Sequence, residues 1–153
     1  MRHWKMIAML VAFALLVAGC GGNAEKKTAD MAAIYEQVAE SLPEMYQMDA
    51  DTMLNYLGIS MDDCIQAVAA VASEGVRADE IWLIEAKDAR ALTKIQELAQ
   101  SRLAAKEEET VQYAPTQYSI VKDAKRLTQG QCFALVVSPD ADTILAAVKS
   151  AWE

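Results

Sequence analysis

From residue 30 onward the apolar positions of the chain switch between a helical and a strand period, and the switches mark the elements. Asp30 is followed by Met31, Ile34, Tyr35, Val38 and Leu42, the i, i+3, i+4, i+7 stripe of an amphipathic helix. Pro43 ends it. A short second helix is predicted from Asp49 or Asp51 to Leu57, where Gly58 suits the left-handed position after a helix and Ile59 packs back. Residues 64–72 fit two templates. Ser60 and Asp63 frame a capping box and the alanines favour a helix. Against that, Glu74-Gly75 marks a turn, and Ile81-Trp82-Leu83-Ile84 beyond it is a strand that needs a partner. The hairpin is the reading taken. Lys87-Asp88 then caps the longest helix, with Leu92, Ile95, Leu98, Ala99 and Leu103 buried and Lys94, Glu97, Gln100 and Lys106 facing out. Glu107-Glu108-Glu109 reads as its solvated end, where acidic charge opposes the helix dipole and predicts fraying.

Ala114 precedes Pro115, so Tyr113-Ala114-Pro115-Thr116 is expected to be extended. Tyr118–Val121 and Cys132–Val137 read as a second hairpin around Thr128-Gln129-Gly130. Ser138-Pro139-Asp140 starts the last helix, with proline at the first helical position and Ile144, Leu145, Val148 and Trp152 as its core face. The order predicts one α+β domain over residues 29–153: an antiparallel sheet of two β-hairpins packed with three to four helices.

The first residues follow a different logic. Arg2, His3 and Lys5 precede an apolar run from Met6 to Val17, shorter than the roughly 17–25 residues of a membrane span. Basic start, apolar core and Val17-Ala18-Gly19-Cys20 read as a lipoprotein signal peptide over residues 1–19, cut between Gly19 and Cys20. Cys20 then carries a diacylglyceryl group, and two acyl chains suffice for stable anchoring. Residues 20–28 are small and polar and read as a flexible tether. The expected location is the cell membrane, lipid-anchored and facing the extracytoplasmic side.

Charge and composition narrow the chemistry. The chain carries a net charge of −8, and cleavage removes Arg2 and Lys5, leaving it more acidic. Such a domain lacks the clustered cations of a nucleic-acid binder. The sole histidine is His3, inside the expected signal peptide, so imidazole-based catalysis and histidine metal ligation are not expected of the mature domain. Cys64 and Cys132 either form one bridge or sit apart as small buried hydrophobes, and the apolar surroundings favour the second. Met45, Met48, Met53 and Met61 read as fillers of irregular core gaps rather than an adaptable binding face. Asp49-Ala50-Asp51 and Asp140-Ala141-Asp142 lack the remaining ligands of a calcium loop and are explained by helix starts. No glycine-rich phosphate loop is present. No catalytic residue, cofactor or metal ligand is assigned. The polar pair to watch is Glu80 and Arg102, each beside a core segment, as a structural ion pair or as charge lining a ligand pocket.

The order of these segments resembles the lipoproteins of Gram-positive anaerobes grouped as domain of unknown function 4358. The likeness rests on the lipobox, Leu57-Gly58-Ile59, Ala78-Asp79-Glu80-Ile81, the long helix with Arg102, Tyr113-Ala114-Pro115, the Gly130 turn and the Ala134–Ser138 strand. Leu57 stands in an aromatic slot, and Cys132 where a larger residue is more usual. The resemblance implies a fold and a location and assigns no activity. The expected function is a non-catalytic binding or interaction module at the cell surface, taking a protein, cell-wall component or small ligand. The alternative is a carboxylate-based hydrolase acting on envelope material, with two acids about 5–10 Å apart across one cleft.

Overall fold

A computed structural model describes residues 29–153, and the expected signal peptide, Cys20 and the tether lie outside the described residues. Asp30 caps α1 (Met31–Val38), its Oδ1 accepting from the amides of Ala32 and Ala33. A 3-10 turn, Ala39–Ser41, follows, and the chain enters β1 (Met45–Gln47). Asp49 caps α2 (Ala50–Thr52), which runs into a π-helical turn, Met53–Leu57. Gly58 closes it at φ 75°, as its φ-permissive backbone allows. Next come the long hairpin strands β2 (Cys64–Ala72) and β3 (Glu80–Ala86), α3 (Ala89–Tyr113), and the short α4 (Tyr118–Lys122). The hairpin β4 (Lys125–Gln129) and β5 (Cys132–Val137) and the helix α5 (Ala141–Trp152) complete the domain.

The five strands form one antiparallel sheet in the order β1-β2-β3-β5-β4. Helices cover both faces. On one, Met31, Ile34, Tyr35 and Val38 of α1 and Ile144 and Val148 of α5 pack on Ile81, Leu83, Ala134 and Val136. On the other, Ala91, Ile95 and Ala99 of α3, Val121 of α4 and Met53, Leu57 and Ile59 pack on Trp82, Ile84, Phe133 and Leu135. The central strands β3 and β5 are thus buried on both sides, which accounts for their continuous apolar runs. Strand alternation has one decisive consequence. Residues 80, 82, 84 and 86 point to the α3 side, so Glu80 begins the row that runs under α3.

Four expectations need correcting. The run Tyr118–Val121 is helix α4, and the partner of β5 is Lys125–Gln129, an edge strand with mostly polar side chains. An edge strand pairs on one side only, so its sequence lacks the apolar run that marks a buried strand. Helix α3 continues to Tyr113, so Glu107-Glu108-Glu109 lies within it and is not its fraying end. After Ala114 (φ −144°, ψ 62°) the chain forms a 3-10 turn, Pro115–Gln117, rather than continuing extended. Pro139 lies in a turn before α5, which begins at Ala141. Residues 64–72 form the strand of the expected hairpin, while the strand β1 had no expectation attached to it.

Candidate functional site

Glu80 is fully buried at the start of β3, and α3 places Arg102 and Lys106, one turn apart, directly over it. Arg102 Nε lies 3.1 Å from both carboxylate oxygens and its Nη2 2.9 Å from Oε2. Lys106 Nζ stands 3.0 Å from Oε2. Trp82, two residues along the same strand face, donates its indole Nε1–H to Oε1 at 2.8 Å. Tyr56 closes the cluster. Its hydroxyl accepts from Arg102 Nη2 at 3.0 Å, and its ring centroid lies 4.6 Å from the guanidinium carbon.

Burial by itself pushes the Glu80 carboxyl up. The charge of Lys106 and the hydrogen bonds and charge of Arg102 outweigh it and hold the group below the usual carboxylate range. Arg102 is likewise penalised by burial, and Glu80 more than compensates, raising its pKa. One carboxylate faces two cations, so the cluster keeps a net positive charge inside an acidic protein.

Above the cluster opens a cleft of about 290 Å³. The Val71–Ala78 segment walls one side, and Arg102, Lys106, Glu109, Thr110 and Tyr113 of α3 wall the other, with Tyr56 at the edge. The β2–β3 turn is held in place by Gln117, whose Oε1 accepts from Ala78 N at 3.0 Å, and by the Arg77–Asp79 ion pair at 3.1 Å. Tyr56, Val76 and Tyr113 are exposed on the rim. Pro115 ends α3 by disfavouring a helical Ala114, and so leaves Tyr113 on the last turn at the mouth.

The structure therefore brings together the singled-out pair Glu80 and Arg102, and it corrects the reading of Lys106 as outward-facing. Lys106 is 7 % exposed. The buried positions of α3, Ala91, Ile95, Ala99, Lys106 and Thr110, continue a single stripe through the lysine, because an acid waits beneath it. Tyr56 and Trp82 carried no chemical signal in the sequence; the i, i+4 spacing of Arg102 and Lys106 was the available clue.

Other candidates disperse. Asp49 caps α2, whereas Asp140 makes no side-chain cap and Asp142 pairs with Lys125 at 3.3 Å. No cluster of metal-ligating side chains occurs among the described residues. Ser60 caps a 3-10 turn, Met61–Asp63, and Asp63 instead pairs with Lys87 and Lys94. Met48 and Met53 are buried, Met45 packs at the core edge, and Met61 is exposed. Cys64 and Cys132 lie on strands that flank β3 and pack into opposite cores. Two strand spacings of roughly 4.8 Å exceed the reach of a disulfide, so they do not bridge each other. Both are half-buried rather than buried.

The family model for domain of unknown function 4358 (DUF4358) matches residues 37–138. The chain belongs to this family. No curated protein and no solved structure gives a match. The DUF4358 span holds all five strands, α3 and every residue of the Glu80 cluster and its cleft, while most of α1 and all of α5 fall outside it. No helix among the described residues is long and apolar enough to cross a membrane.

Proposed function

We propose that this chain is a lipid-anchored extracytoplasmic binding module. Cys20 carries the anchor, residues 20–28 form the tether, and the folded domain presents the cleft above Glu80 to its ligand. The observation that carries the reading is that cleft: concave, rimmed by exposed Tyr56 and Tyr113, and floored by a buried cationic cluster. Small-molecule sites combine these elements, an apolar wall with a few fixed polar groups. Nothing in the cleft favours a carboxylate hydrolase. That chemistry needs a second acid held protonated. Glu109 is the only carboxylate among the described residues lining the cleft, and Glu80 beneath it is held ionised.

Two experiments test the reading. Replacing Cys20 with Ala is expected to release the protein from membranes; equal partitioning of variant and wild type refutes lipid attachment. Hydrogen–deuterium exchange of the full chain, with and without a soluble envelope extract, is expected to slow at residues 72–78 and 102–114. Unchanged exchange there refutes the cleft as the binding site.

A further inference from the structure

Resting on the cleft as a binding site, we propose that its ligand is a small zwitterion of amino-acid or dipeptide type. Its carboxylate sits on Lys106 and Arg102, its ammonium on Glu109, and its apolar side chain against Tyr113 and Val76. The cluster holds a surplus of donors. The Glu80 oxygens receive Trp82 Nε1, Arg102 Nε, Arg102 Nη2 and Lys106 Nζ, which fills the roughly four lone-pair sites of a carboxylate. Arg102 Nη1 has no partner among the described residues, and Lys106 directs one of its three donors at Glu80. Both side chains line the cleft. A site with spare N–H groups and one uncompensated positive charge calls for an anionic acceptor, and an arginine–lysine pair suits a carboxylate.

The order of groups along α3 points to the same ligand. Arg102, Lys106, Glu109 and Tyr113 all line the cleft and recur at i, i+4, i+7 and i+11, one helical face. At 1.5 Å per residue, Glu109 stands about 4.5 Å beyond Lys106 along the axis, and Tyr113 about 6 Å beyond Glu109. Cation, anion and aromatic ring therefore follow in sequence, mirroring carboxylate, ammonium and apolar side chain. Glu109 makes no ion pair among the described residues. It repels the second charge of a phosphate monoester or dicarboxylate and attracts an ammonium. A neutral sugar leaves the buried positive charge unmatched. The volume, near the lower end of the roughly 300–1,000 Å³ of small-molecule sites, limits the ligand to this size.

The test is isothermal titration of the full chain, purified in detergent, with the dipeptide Phe-Ala, its C-terminal amide, its N-acetyl form and inorganic phosphate. Phe-Ala is expected to bind, and the amide to bind at least about tenfold more weakly, the effect of losing one hydrogen bond to a charged group. N-acetylation is expected to weaken binding to wild type, and Glu109→Gln to abolish that difference. Glu109 is exposed, so this variant keeps the fold where Lys106→Met endangers it. An amide that binds as tightly as the free dipeptide, or phosphate that binds more tightly, overturns the ligand class and leaves the cleft reading standing. Failure of all four probes while envelope extract still protects residues 72–78 and 102–114 does the same. Failure of the probes and of that protection overturns both.

Discussion

Glu80→Gln isolates the electrostatics of the buried cluster, because it keeps the shape of the side chain and removes only its charge. In the wild type one carboxylate, with no exposed surface, is held by the Trp82 indole and two cations whose side chains are 14 % and 9 % exposed. The amide leaves Arg102 and Lys106 facing each other without a counter-charge and turns N–H donors toward N–H donors. Removing one partner of a buried ion pair costs about 3–5 kcal/mol, a large share of the roughly 5–15 kcal/mol by which a domain is stable. Urea unfolding followed by tryptophan fluorescence reports it, since Trp82 lies in the core. With a slope of about 2 kcal/mol/M, the midpoint is expected to fall by roughly 1.5–2.5 M at pH 7. The pH dependence gives a second check. The Glu80 pKa is lower in the folded state, so acidification protonates the unfolded chain first and the ionised carboxylate's contribution is lost. That contribution is full above the ordinary value of 4.5 and declines as pH falls from there through the folded value. The penalty of Glu80→Gln should therefore shrink on acidification below that point. A midpoint shift under about 0.5 M at pH 7, or a penalty that stays constant into acid, refutes the account.

Two further expectations follow from local geometry. Ala at Gly58 meets both a left-handed φ of 75° and Leu98 Cδ2 at 3.0 Å, whereas Ala at Gly130 meets φ 60° and open space. Thermal unfolding should show a loss of about 1 kcal/mol at Gly130 and more at Gly58; equal losses refute the packing part of this argument. Burial, with Asp63 nearby, pushes the Cys64 thiol up to about 11, so alkylation of Cys64 by iodoacetamide should be slow at pH 7.5 and accelerate steeply toward that value. Fast modification at neutral pH, tracked by peptide mass, contradicts it.

The helices and the central strands were legible in the sequence wherever one residue type had one job. Asp30, Asp49 and Asp88 cap helices as their chemistry dictates, and the runs in β3 and β5 are apolar because both faces of those strands are covered. Edge strands were not legible: β1 and β4 are stabilised by backbone pairing to one neighbour, and that leaves almost no imprint on side chains. The same distinction governs the site. Sequence alone singled out Glu80 and Arg102 as charges beside core segments, but it placed Lys106 in solvent, where an unpaired lysine belongs. Only the packing of α3 across the start of β3 decides otherwise, because it supplies the buried carboxylate that makes a buried lysine affordable. The pocket itself is a tertiary fact. Tyr56, Val76, Arg102 and Tyr113 come from three separate segments of the chain, and only the fold holds them around one cavity.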